Sequence, residues 1–292
     1  MNKRIVIASL RLGAWFALVL LAWQLLPDLY MGPYNAWNPH AIMEFIVTIF
    51  SISIVSKLVI QLLGVHYGLV LMGLIGGFAS STATIHSMGT LAKSHVHLAD
   101  RAALGGVLSN IATLLQLVVL LKLLAPDLLM LFIQPLCYGL FGMLAYALWV
   151  LFFTNQMPVF NSQSHEDFYF DWQSLLTLTA LVCFVSYSSA ALNAHYGQSG
   201  LWVGAALSGL VDAHAIVPTV ASLEKQNKLL LADAMLPLLI ALSANSFTKS
   251  LIAFNSGGLL YARKISTGVR ITTFAVWMGY WTMINPKVTI TS

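Results

Sequence analysis

The chain is poor in charge, poor in cysteine and free of basic runs. Only 8% of its 292 residues are Asp, Glu, Lys or Arg, where a soluble domain carries roughly a quarter. That deficit excludes an ordinary water-soluble fold. The net charge of +4 is spread along the chain, and without a basic cluster no nucleic-acid partner is expected. The two cysteines, Cys137 and Cys183, both fall in apolar stretches. They read as small packing residues, not as a disulfide framework. No G-x-x-x-x-G-K-[ST] segment occurs, so the chain carries no P-loop ATPase of its own.

What fills the sequence is hydrocarbon. Hydrophobic residues make up 59% of it, and the mean hydropathy is +0.82. The lipid bilayer is therefore the first expected partner. A membrane span needs about 20 mostly apolar residues. Nine candidates appear, at 5–26, 41–63, 67–92, 101–124, 127–153, 173–194, 199–223, 229–254 and 268–285. The expected fold is all-α and polytopic. The first run has a basic start, is interrupted by Arg11 and lacks an A-x-A site, so it reads as an uncleaved helix. The segment 154–172 is the longest polar one and holds Glu166, Asp167 and Asp171. It divides the chain into an N-terminal helix and loop (1–40), a first membrane unit (41–153), a linker (154–172) and a second unit (173–292).

The two units resemble each other. His66-Tyr67-Gly68 recurs as His195-Tyr196-Gly197, 129 positions on. Gly77 matches Gly209 and Lys93 matches Lys225, both at 132; Ala99-Asp100 matches Ala232-Asp233 at 133. Asn110 and Thr113 match Asn245 and Thr248 at 135. Equivalent spans lie four apart, so the repeats run parallel if every span crosses fully, and inverted if one half contains a re-entrant segment. Lys3, Arg4 and Arg11 favour a cytoplasmic N-terminus. Nine full crossings then put Arg263, Lys264 and Arg270 inside with them, but leave Lys93, Arg101, Lys225 and Lys228 outside, against the same rule.

Polar residues collect where the repeats match. In the first unit Ser80, Ser81, Thr82, Thr84 and His86 lie in one apolar run. Ser80 and Thr84 share a helical face, as do Thr82 and His86. Close packing of small residues is their simplest role. In the second unit Asp212 sits deep in hydrocarbon, where a carboxylate needs a partner. His214 is two positions on, so a regular helix cannot aim both at one point. Pro218 removes a bond to the His214 carbonyl, and a break there would bring the two together. Asn245, Thr248 and Lys249 are the expected partners, with an Asp212–Lys249 pair, and Asn110 is the first-half counterpart of Asn245. Asp212 and His214 are also the tentative metal ligands. Lys57 reads as a snorkelling residue, Glu44 as interfacial, and His95 and His97 as a solvated loop.

The segments GGFASSTAT, GLVDAHA and NSFTK resemble a membrane family of unknown function, often found fused behind MgtC/SapB-type membrane domains. That family carries a G-x-x-SSTA motif, then G-x-x-D-x-D-A, then N-T-x-x-K. Gly77, Ser80, Ser81, Thr82 and Ala83 match the first, Gly209, Asp212 and Ala215 the second, and Asn245 and Lys249 the third. His214 replaces the second Asp, and Ser246 replaces the Thr. The resemblance implies a polytopic protein of a bacterial inner membrane, linked to ion handling.

The expected function is an ion transporter or channel. Its cation site lies between the repeats and uses Ser and Thr hydroxyls, freed carbonyls and one carboxylate, all hard oxygen ligands. The alternative is a secondary transporter of a small organic or anionic solute held by Lys249 and helix N-termini. An intramembrane enzyme using Ser80 or Ser81 with His86 or His214 and Asp212 lacks any nucleophile-elbow sequence, and a passive scaffold would not keep a buried Asp212 and Lys249. No enzyme activity is expected, and no cofactor beyond a bound cation. The small ion or solute is the second partner, and a homodimer is compatible with the sequence.

Overall fold

The structure, a computed structural model, describes residues 20–63, 68–153 and 172–285. The first predicted span up to residue 19, His66 and Tyr67 of the repeated tripeptide, and linker residues 154–171 lie outside the described residues, as does the side chain of Lys57. Among the described residues there is no strand. The helices are α1 (Pro39–Leu63), α2 (Gly68–Ser94), α3 (Ala99–Leu124), α4 (Pro126–Phe153), α5 (Trp172–Tyr196), α6 (Gln198–Val211), α7 (Val217–Lys225) and α8 (Met235–Ile284). Six helical stretches are long and apolar enough to cross a membrane, which identifies an integral membrane protein.

Three of these elements do not run straight. Helix α2 breaks at Ser80, whose backbone is extended (φ −169°, ψ 109°). The two arms fold back on each other: a Cβ on Gly76 would lie 2.9 Å from Thr84 Oγ1. Their contacts with α3 give the directions. Gly73 packs on Gly105 and Gly77 on Ser109, so the first arm runs parallel to α3. Ser81 bonds Thr113 and Met88 lies by Gly105, so the second arm runs antiparallel. The first arm, Gly68 to Ala79, is about 18 Å long at helical rise, too short for a core of about 30 Å. Ser80 caps the returning arm: its Oγ accepts the Ala83 N–H at 3.2 Å, the usual N-cap device.

The second fold-back is α6–α7. Helix α6 packs antiparallel to α5, with Gly200 against Leu192 and Gly204 against Ser189. It stops at Asp212 (φ −153°, ψ 130°). Helix α7 then returns the chain to where α6 began. There Gln226 Nε2 donates to the Asn35 carbonyl at 3.2 Å and Lys228 Nζ donates to the Tyr34 carbonyl at 3.2 Å. Tyr34 itself bonds His195 at 2.8 Å. Pro218 stands in the first turn of α7, and the His214 carbonyl it cannot serve receives the Val217 N–H at 3.0 Å.

Helix α8 has 50 residues, about 75 Å at helical rise, more than twice a hydrocarbon core. It folds at Gly258 (φ 74°, ψ −174°), a conformation that favours glycine. Two bonds zip its arms antiparallel: Ser246 Oγ to Thr273 Oγ1 at 2.8 Å and Trp277 Nε1 to Ser243 Oγ at 3.0 Å. Helix α4 packs antiparallel to the second arm, with Gly139 against Val276 and Tyr146 against Gly268.

The nine expected spans are therefore drawn differently. The 67–92 run is a hairpin, and the 199–223 run is two helices joined by 212–216. The bundle has a Tyr34 end and a Gly258 end. Lys93, Arg101, Arg263 and Lys264 share the Gly258 end, where Lys264 pairs with Asp100. Three features recur 132 positions apart. Gly77 on the Ser109 backbone returns as Gly209 on the Ala241 backbone. The bond from Gln116 to the Phe78 carbonyl returns as that from Thr248 to the Leu210 carbonyl, and the breaks fall at Ser80 and Asp212. At this offset Thr113 stands opposite Asn245, which replaces the spacing of 135 read for these helices.

Gly77→Val and Gly209→Val should each destabilise the fold, because the new Cβ would sit 2.6 Å and 2.2 Å from neighbouring backbone atoms. The expected loss is about 1–3 kcal/mol or more, read as a lower unfolding temperature in detergent. A change no larger than that of Leu260→Ala, an exposed apolar position, would contradict the packing described.

Candidate functional site between two hairpin tips

Both tips end against the middle of α3. The sequence explains why each stops there. Ser80 and Asp212 are good capping residues and poor helix-interior residues, and each turns its side chain onto the backbone that follows. Asp212 Oδ1 accepts the His214 backbone N–H at 2.7 Å. The same oxygen faces His214 Nδ1 at 2.8 Å. The break thus brings the two residues together, which a helix could not.

His214 is buried, while about two-fifths of the Asp212 side-chain surface stays exposed. The other ring nitrogen, Nε2, lies 3.1 Å from the Thr113 carbonyl oxygen. Both nitrogens therefore face acceptors. A neutral ring has one N–H only, so a neutral imidazole donates to one of these two oxygens and only a protonated one donates to both.

Thr113 is the node. Its carbonyl meets His214, and its hydroxyl donates to Ser81 Oγ at 2.9 Å while accepting from Lys249 Nζ at 2.9 Å. Lys249 donates also to Asn110 Oδ1 at 2.9 Å, and the Asn110 amide donates back to the Gly106 carbonyl at 3.2 Å. Lys249 is only 2% exposed, and its hydrogen-bond partners are both neutral. The expected Asp212–Lys249 pair does not form: the first-half helix α3 stands between them and serves both.

Beside Lys249 lies a cavity of about 20 Å³, lined among others by Asn110, Thr113, Asn245, Ser246 and Thr272. It has room for one water-sized group. Asn245 is buried at 5% exposure and lines this space together with Lys249.

The remaining candidates disperse. Thr84 is buried inside the α2 hairpin against Gly76, the packing role expected of small residues. Thr82 is half-buried and His86 is exposed; neither joins the network. Thr248 holds the end of α6 through the Leu210 carbonyl. His95 and His97 stack edge to face at 5.9 Å on an exposed loop. Among the described residues no group of three His, Cys, Asp or Glu could hold a metal, so Asp212 and His214 stand as a pair without a third such ligand. Cys137 and Cys183 are free. Sequence reasoning left Thr113 out of the site. Its spacing of three from Asn110 put both on one face of α3, and that was the available sign.

Thr113→Val should remove the node without changing shape. It strands one acceptor for Lys249 and one donor for Ser81, at about 1–3 kcal/mol, whereas Thr113→Ser should lose far less. Unfolding temperatures of the two purified variants decide this; equal losses would mean the hydroxyl is idle.

No curated protein and no solved structure matches the chain. A family model described as a domain of unknown function, DUF4010, matches residues 47–257, a range that runs from within α1 through both hairpins to the first arm of α8. That is well over half of the sequence, and the chain belongs to the DUF4010 family.

Proposed function

We propose that the protein is a membrane transporter that moves a small ion or solute past the Thr113–Lys249 node, coupled to the proton held by Asp212 and His214. One observation carries the reading: two broken helices, entering from opposite ends of the bundle, stop at the same buried polar cluster. Non-helical backbone at membrane depth is tolerated where it lines a cavity, and transporters place their sites at such discontinuities between inverted repeats.

The finer architecture belongs to this proposal. Helices α1, α3, α4, α5 and the two arms of α8 make six crossings, and α2 and α6–α7 are re-entrant. The units 41–153 and 173–285 are then inverted repeats. The features recurring at 132 positions support this, as does the direction of α1 away from the Tyr34 end against that of α5 toward it. The inverted arrangement also removes part of the charge conflict. Lys93, Arg101, Arg263 and Lys264 fall on one side, which the positive-inside rule makes cytoplasmic, in what the family resemblance suggests is a bacterial inner membrane, while Lys225 and Lys228 stay at the opposite, Tyr34 end.

The cation reading needs one further step. Hydroxyl and amide oxygens of the kind that suit a cation are present, but Asn110 Oδ1 and Thr113 Oγ1 already accept from Lys249. A cation would have to displace that ammonium. In the enzyme alternative, the His214 ring nitrogens face Asp212 and the Thr113 carbonyl, which leaves His86 as the other histidine for that reading.

Reconstituted protein assayed for proton, K⁺, Mg²⁺, chloride and phosphate flux tests the reading. Asp212→Asn keeps the shape and removes the titrating carboxyl, and should abolish coupling to a pH gradient while the protein stays folded. Lys249→Met should end solute flux if the ammonium binds the solute, or open a cation leak if it plugs a cation site. Wild-type flux and coupling in both variants would sink the proposal.

A further inference from the structure

The arms of α8 enclose a second space that the site above does not use. Along the two arms, from near the Gly258 turn past the Ser246–Thr273 bond to Ser243 and Trp277, runs a groove of about 700 Å³ that opens at the protein surface. Its walls are mainly apolar, with Phe247, Phe254, Leu259 and Phe274 exposed, but Ser250 and Ser266 add hydroxyls and Arg263 and Arg270 add charge, with no Asp or Glu among the lining residues. Arg263 lies about 8 Å along the helix from Gly258, and Arg270 about 18 Å, at helical rise. Arg270 lies about 9 Å further in along the helix than Lys264, which pairs with Asp100 at the Gly258 end. Its Nε donates to the Ser266 carbonyl at 3.0 Å; no acid in the described residues pairs with either guanidinium. An arginine at that depth faces water or a ligand.

The groove also leads somewhere. Ser246 lines both the groove and the small cavity beside Lys249, so a single side-chain layer separates Arg270's space from the ammonium. Counted from Gly258 at helical rise, Arg263, Lys249 and Arg270 lie about 8, 14 and 18 Å in, so Lys249 stands at a depth between the two arginines, with Ser246 between its cavity and the groove.

We propose that this groove is a water-filled vestibule for a small hydrophilic anion, a carboxylate, phosphate or halide, which reaches Lys249 from the Gly258 end past Ser246. This rests on the transporter reading for its destination and names the substrate class that reading left open. Two arginines with no acid nearby concentrate anions and repel cations. Guanidinium groups suit planar oxyanions through paired N–H donors.

Thiol labelling tests the vestibule without any transport assay. In a Cys137→Ala, Cys183→Ala background, Ser250→Cys and, separately, Ser266→Cys place one thiol in the groove. Each is treated in liposomes with a membrane-impermeant methanethiosulfonate carrying either a sulfonate or a trimethylammonium group. The anionic reagent should react faster by about tenfold or more, corrected for the ratio on a free thiol. Arg263→Gln with Arg270→Gln should erase the preference and leave labelling by the cationic reagent intact or faster. Equal rates, a cationic preference, or no reaction at either position, as expected if lipid or a second copy of the chain fills the groove, would overturn the proposal. Anion-selective labelling with flux indifferent to Lys249→Met would keep the vestibule and sink the transport site instead.

Discussion

A helix broken inside a bilayer leaves backbone N–H groups with no water to bond, and the fold depends on how two such breaks are closed. At each, the residue that ends the helix takes an N–H of the backbone that follows it. Ser80 gives its hydroxyl oxygen to Ala83, and Asp212 gives a carboxylate oxygen to His214. A buried N–H left open costs several kcal/mol in hydrocarbon, so these two side chains decide where the chain can turn. Everything near the site follows from the turns. The hairpins bring Ser81 and His214 to Thr113, and Lys249 fits beneath because α3 presents Asn110 and Thr113 one helical turn apart.

The two caps are chemically unequal, and that inequality organises the site. A serine cap closes backbone groups and ends there. An aspartate closes them with charge to spare, which faces His214 Nδ1. The hydroxyl of Thr113 then stands between this pair and the buried Lys249, whose bonds are to the neutral oxygens of Asn110 and Thr113.

The long final helix has a different logic. Gly258 folds it at the basic end, and two hydroxyl-centred bonds hold its arms together nearer the middle. Gly139 of α4 packs on Val276 and Gly279 packs on Pro135 of α4, which holds the second arm in place.

The sequence by itself determined the environment and the unusual residues. Its lack of charge required a bilayer, the apolar runs located most helices, and the cost of Asp212 and Lys249 in hydrocarbon marked them as groups needing partners. The matched glycines at 77 and 209 were also readable, because close helix contacts admit no side chain there. Direction was not. A 26-residue apolar run crosses or folds back with the same composition, and only the contact of Gly76 with Thr84 decided that α2 returns. That single reversal places Lys93 and Arg101 with Arg263 and Lys264. Partner choice was also a tertiary matter: Asp212 and Lys249 look complementary in sequence, yet α3 lies between them, and Thr113 receives from both neighbours because its carbonyl and hydroxyl face different hairpins. Arg270 read as an end-of-helix cation until the fold at Gly258 set its depth and gave it a groove.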